Sequence, residues 1–190
     1  MWVRYQELFG RKEPLPAEGY QGAYLIELAK ELEKKKGQSL LSGGKEKCLE
    51  QMTTYAVQSI LGGIKADLER IGVSFDEYFS EQSLAQKKDI DQVLKILQDK
   101  GFSYESDGAL WFRSTRFGYD KDRVLRKQSG EYTYITPDIA YHRSKFERGF
   151  QQLINLWGPD HHGYVPRLEA ACEALGYSPK QLRILIDQLT

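Results

Sequence analysis

Three β-rich runs at regular intervals, Tyr132 to Thr136, Leu153 to Gly158 and Leu182 to Asp187, constrain the second half of this chain more than any other feature. The spacers between them, Asp138 to about Phe146 and Tyr164 to Leu175, read as helices. They are long enough for the crossovers that parallel strands require. The chain is therefore read as α/β, with a partial parallel Rossmann-like sheet of βαβαβ form and right-handed connections.

The first half reads as a smaller, mixed α+β domain, and the change of character sets expected boundaries at 1–115 and 116–190. A short helix around Trp2 to Leu8 leads through a turn-rich link with Pro14, Pro16 and Gly19 to a helix from about Tyr24 to Lys36. Gly37 to Gly44 reads as a loop. Cys48, Met52, Tyr55, Ile60, Ile64, Leu68 and Ile71 then recur at spacings near three and four, which predicts a long amphipathic helix stopped by Gly72. Val73, Phe75, Tyr78 and Phe79 suggest a strand or extended link. A helix started at Ser83 and running from about Asp89 to Lys100 follows, ended by Gly101. Phe102, Tyr104, Leu110 and Phe112 flank an Asp107-Gly108 turn, a hairpin signal.

The formal net charge is zero, so no strong positive field draws nucleic acid to the chain, and any RNA contact has to be local. The two cysteines, Cys48 and Cys172, lie far apart and outside any metal-ligand spacing, so neither a zinc site nor a disulfide framework is expected. No apolar stretch approaches the roughly 20 residues of a membrane helix, and no signal core follows the N-terminus. The expected address is cytoplasmic, with no membrane partner.

In a βαβαβ unit, ligands bind in the crevice at the carboxyl ends of the strands, where helix N-termini also point. The first run ends in Tyr134-Ile135-Thr136-Pro137-Asp138, which reads as strand, then Thr136 as N-cap, Pro137 at the first helical position and Asp138 in the first turn. The second ends in Trp157-Gly158-Pro159-Asp160-His161-His162-Gly163, which brings a carboxylate and imidazoles to the same edge. One carboxylate there suits a ribose diol and another a planar guanidinium. Gly158 and Gly163 beside Asp160 permit close approach of a ligand to the backbone. Ordinary explanations stand beside these. The helix dipole alone favours Asp138 in a first turn, a tyrosine such as Tyr134 is more often a core aromatic, and His142 reads as structural. Adjacent histidines after a carboxylate at a strand end serve no packing need, which favours a functional role for Asp160, His161 and His162.

The stretch YTYITPDIAYHRSKFERGFQQLINLWGPDHHGYVPRLEAACEALGY resembles the arginyl-tRNA synthetases, without gaps. RYQELFG, GYQGAYLIELAKEL, GVSFDEYFSEQSL and DGALWFRSTRFGYDKDRVL are similar to the same family, so the resemblance covers nearly the whole chain. Gly37 to Tyr55 matches least. The resemblance implies a class I synthetase that joins L-arginine to ATP, with magnesium accompanying the nucleotide, and then transfers it to the acceptor end of a tRNA. Residues 1–115 would be the connective insertion and 116–190 part of the nucleotide-binding domain. By the same resemblance, Tyr134, Asp138 and His162 would bind arginine, while Gly158, Asp160 and His161 would bind ATP, and no protein-held metal is implied. Pro159 departs from the small residue expected there.

The chain contains neither an HxGH sequence nor a KMSK-like loop, so the positive charge those motifs supply to the leaving pyrophosphate is missing. The resemblance places the first before Met1 and the second soon after LRILIDQLT. The expectation is an internal fragment, cut at both ends and inactive in arginine activation by itself. Two rivals are weighed against it. Asp-His-His also occurs in metal-dependent phosphoesterases, with Asp120 and Asp122 or Asp89 and Asp91 as partners. A non-catalytic interaction module would also lack both motifs.

Overall fold

The computed structural model describes residues 1–17, 19, 22–86 and 88–188. Tyr20 and Gln21 of the GYQGAYL stretch and the end of LRILIDQLT lie outside the described residues. The chain divides into two compact units, Met1–Tyr78 and Phe79–Thr190.

The first unit is helical: α1 (Trp2–Glu7), α2 (Tyr24–Lys36), a 3-10 segment (Gly37–Gly43) and α3 (Lys45–Arg70). Leu28, Ala29 and Leu32 lie on one face of α2 and are buried, as helical spacing dictates. Ala29 and Leu32 join Tyr5, Leu40 and Met52 in one cluster. The Tyr5 hydroxyl donates to the Gly37 carbonyl at 2.8 Å, so a fully buried ring keeps its polar end satisfied. Gly72, at φ +78°, lies just beyond α3, where the sequence placed the stop. The expected loop at Gly37 to Gly44 forms the 3-10 segment, and Val73 to Phe79 is extended link without a strand.

The second unit is mixed α/β. It contains α4 (Gln82–Gln86), α5 (Asp89–Asp99), β1 (Ser103–Ser106), β2 (Ala109–Phe112), β3 (Arg123–Arg126), α6 (Ile135–Glu147), β4 (Leu153–Trp157), α7 (Val165–Leu175) and β5 (Leu182–Ile186). β1, β2 and β3 form an antiparallel sheet in that order. Asp107 and Gly108 both take positive φ, +52° and +73°, the backbone of the tight hairpin turn their dipeptide signals. Val93, Leu97, Phe112, Leu125, Ile139, Ala171 and Ala174 are wholly buried and join α5, α6 and α7 to this sheet. Each large aliphatic among them stabilises by about 1.5–3 kcal/mol relative to exposure. Lys100 donates to the last carbonyls of α7, Ala174 at 3.1 Å and Leu175 at 3.0 Å, which caps a C-terminus whose chain then reverses at Gly176.

β4 and β5 pair in parallel, Leu153 with Leu182 through Trp157 with Ile186, and α7 is the crossover between them. Leu153, Leu168, Cys172, Leu182 and Phe146 close the core under this pair. Burial also raises the Cys172 thiol to about 12, so it is an inert core residue. The first of the three β-rich runs departs from expectation. Tyr132 makes a single bridge to Arg126, and the chain then enters α6 at Ile135. Threonine hydrogen bonding accounts for this. Thr133 donates through its hydroxyl to Val124 and through its amide to Leu125 at 2.9 Å. Thr136, fully buried, donates to the Leu125 carbonyl at 2.7 Å. These bonds hold the segment to β3 and turn it into a helix. Tyr134 is thus the N-cap instead of Thr136, and Pro137 sits inside the first turn, where a missing N–H leaves no helix bond unmade.

No helix of the described residues is long and apolar enough to cross a membrane.

Candidate functional site

The site is assembled from the start of α6 and from the 3-10 turn Pro159–Tyr164 that follows β4. Asp138, half-buried in the first turn of α6, accepts a 2.7 Å hydrogen bond on Oδ2 from the Tyr164 hydroxyl. Desolvation, and then the adjacent Asp138 charge, push the Tyr164 phenol far above its ordinary value, so it is a permanent donor. This bond fixes one of the two carboxylate oxygens.

Behind Asp138, His142 is buried. Its Nδ1 lies 2.8 Å from the Asp138 carbonyl and its Nε2 lies 2.8 Å from Asn155 Nδ2 on β4. A carbonyl accepts only, so Nδ1 carries the proton and Nε2 accepts from Asn155. Burial lowers the His142 pKa, which keeps the ring neutral. Lys145 extends the network to Asn155 Oδ1 at 3.5 Å, and burial lowers its pKa as well.

Tyr134 is 88% exposed, so it is not a core aromatic. With Tyr164, Arg123 and Arg167 it borders a pocket of about 360 Å³. Gly158 caps the turn, and a Cβ there would meet Asp160 Oδ1 at 2.8 Å, displacing the carboxylate. Asp160 and His161 are exposed and pair with each other at 3.5 Å, and the His161 ring lies 5.8 Å from that of Trp157. His162 is exposed in the same turn.

The expected site residues therefore fall into separate groupings. Asp138 and Tyr134 are each tied to Tyr164, one by a hydrogen bond and the other across the pocket. Asp160 and His161 pair near the beginning of the turn that Tyr164 ends. Sequence reasoning missed Tyr164, whose only signal is its place two residues after His162 at a strand end. It also missed the two arginines of the pocket, which are distant in sequence. Among the described residues no three His, Cys, Asp or Glu side chains converge as a metal site. Asp89 and Asp91 lie in α5, where the Tyr132 hydroxyl donates to Asp91 at 3.5 Å.

Comparison with known proteins adds independent information. Residues 28–188 match the family model of class I tRNA synthetases (R), catalytic domain. The chain is 48% identical over 187 residues to the arginine–tRNA ligase of Oceanobacillus iheyensis and, over the same length, 48% identical to that of Bacillus subtilis. Each alignment covers 98% of this chain and 34% of the relative, so the chain spans about a third of the length of these relatives. A solved structure from Campylobacter jejuni, described as an arginyl-tRNA synthetase, superposes with a TM-score of 0.89 at 33% identity, covering 99% of this chain and 42% of that one. The Thermus thermophilus arginyl-tRNA synthetase shares the fold at a TM-score of 0.65 and 15% identity, over 98% of this chain and 39% of that one.

Proposed function

Because this chain belongs to the class I tRNA synthetases (R), we propose that it carries the amino-acid-recognising part of an arginine–tRNA ligase. That enzyme would activate L-arginine with ATP, magnesium accompanying the nucleotide, and pass the arginyl group to a tRNA acceptor end in the cytoplasm. Family membership sets aside the phosphoesterase reading of Asp-His-His.

The observation that carries the proposal is the Asp138 carboxylate, oriented by Tyr164 through a 2.7 Å hydrogen bond to one oxygen. A guanidinium presents paired N–H donors in a plane together with a positive charge, both of which a carboxylate matches; an ammonium lacks the planar pair, and a urea group keeps the pair but lacks the charge. In this reading Tyr134 covers the guanidinium and His162 lies near the amino acid, while Gly158, Asp160 and His161 receive the ATP ribose and adenosine. The parallel pair β4–β5 with crossover α7 is then part of a Rossmann-like βαβαβ sheet. Residues 1–115 form the connective insertion and 116–190 belong to the nucleotide-binding domain. Packing divides the chain at a different point, because β3 completes the sheet begun by β1 and β2.

Titration of the 190-residue chain with arginine, citrulline and lysine, followed by NMR, tests this. Arginine shifts the signals of Tyr134, Asp138 and Tyr164, while the other two leave them in place. Asp138→Asn keeps the shape but removes the charge, which costs on the order of 1.5–3 kcal/mol and so weakens arginine binding at least tenfold. Equal shifts for all three ligands sink the proposal.

A further inference from the structure

We propose that Asn155, a buried amide on β4, is a positioning residue for arginine recognition: through His142 it holds the backbone of Asp138 in the place from which the carboxylate acts. This deepens the reading of Asp138 given above and rests on it.

Along β4, Leu153 and Asn155 are buried while Ile154 and Leu156 are exposed, so the strand period assigns position 155 to the core side. An aliphatic is the ordinary residue there. Asn155 is instead 7% exposed, and His142, which meets it from α6, is 3% exposed. Burying an amide and an imidazole where the pattern leaves room for packing is costly unless each is hydrogen-bonded. Departures of this kind from a local rule gather where function requires them. Both groups are bonded here. Asn155 Nδ2 lies 2.8 Å from His142 Nε2, His142 Nδ1 lies 2.8 Å from the Asp138 carbonyl, and Lys145 Nζ lies 3.5 Å from Asn155 Oδ1.

The two ends of this chain of bonds permit one arrangement of protons. The Lys145 ammonium, 4.1 Å from the centroid of the Tyr141 ring, only donates, and it draws the Asn155 oxygen toward itself. The Asp138 carbonyl only accepts, so the His142 proton sits on Nδ1. Between them the Asn155 N–H groups face a bare Nε2, and no alternative tautomer satisfies every member. Asp138 is thus held at two points. Asn155 fixes its backbone from within β4, and Tyr164 fixes its carboxylate from the turn that follows β4. Pairing of a carboxylate with a planar guanidinium is bound to one geometry, so displacement of this backbone displaces the recognising group.

The test compares the 190-residue chain with Asn155→Leu and Asn155→Asp by NMR at about pH 8, where the His142 ring is neutral. Leucine restores the apolar period of the strand, and aspartate keeps the size of the amide but can only accept. Three signals are read: the ¹⁵N shifts of the His142 ring, the ¹³C shift of the Asp138 carbonyl, and the arginine titration. In the parent chain Nε2 is bare, and in Asn155→Asp it becomes protonated. In both variants the Asp138 carbonyl signal moves and arginine affinity falls about tenfold while the amide spectrum stays folded. If Asn155→Leu does not fold, Asn155→Asp carries the test. An unmoved Asp138 carbonyl, or a moved carbonyl with arginine affinity unchanged, overturns the proposal. A parent chain silent to arginine sinks the recognition reading instead, and the carbonyl signal still decides whether Asn155 holds Asp138 in place.

Discussion

Tyr164 shows how far a single residue can be read from sequence. Its position after Gly158 to Gly163 marks the end of a strand-end turn, but nothing in the string says that its hydroxyl crosses to Asp138, 26 positions earlier. Asp138 itself was legible, because a carboxylate in the first turn of a helix at that edge is a recognisable pattern. From pattern alone Tyr134 reads more readily as a core aromatic, and its exposure removes that reading. If Tyr164 orients the carboxylate, Tyr164→Phe leaves the ring packing unchanged and frees Asp138 to rotate. The expected stability loss is about 1 kcal/mol, since water replaces part of the bond. Arginine affinity falls several-fold in the titration, while lysine and citrulline remain without effect. A variant that keeps full arginine affinity shows that Asp138 needs no such support.

At the scale of elements, the helices and the two later strands follow from pattern, and the first β-rich run does not. Tyr132 to Thr136 is rich in residues that favour strands, but two threonine hydroxyls bond backward to β3 and set the helix two residues early. Hydrogen bonds between distant segments override local propensity there. β3 went unread because its four residues, two adjacent aliphatics flanked by two arginines, lack strand alternation and carry no turn signal of their own. Between α6 and β4 the decisive link is polar: neutral His142 joins the Asp138 carbonyl to Asn155. Its folded pKa lies below 6.5, so the unfolded chain takes up the proton first as pH falls. This contribution to stability is complete above about pH 6.5 and is lost as pH drops from there toward the folded value, at up to about 1.4 kcal/mol per unit. The melting temperature of the chain therefore declines as pH falls below about 6.5, ahead of general carboxylate protonation. His142→Gln flattens the curve in that window, and parallel curves for the two proteins show that His142 does not set it.

For the whole molecule, composition excluded a strong polynucleotide field and a metal-rich or disulfide-bonded fold, and motif order supplied the family. What the string could not convey is how completely each face is covered. Ile154 and Leu156 on β4 are 61% and 74% exposed, and with Leu185 on β5 they leave one face of the parallel pair bare. The chain corresponds to about a third of its curated relatives, and the groups it presents around β4 and the start of α6 are two carboxylates and two imidazoles: Asp138, Asp160, His161 and His162. Recognition of a guanidinium needs little more than that set. Breaking the bond to pyrophosphate needs fixed positive charge aimed at the leaving oxygens, and removing even one such group commonly costs about 10²–10³ in rate. The sequence contains neither HxGH nor a KMSK-like loop to provide it. The 190-residue chain should therefore show arginine-dependent ATP–pyrophosphate exchange no higher than a protein-free blank, under conditions where the arginine shifts at Tyr134 and Asp138 are saturated. Exchange clearly above the blank, and abolished by Asp138→Asn, would mean that this segment supplies its own phosphate charge, with Arg123 and Arg167 the first residues to replace in tracing its source.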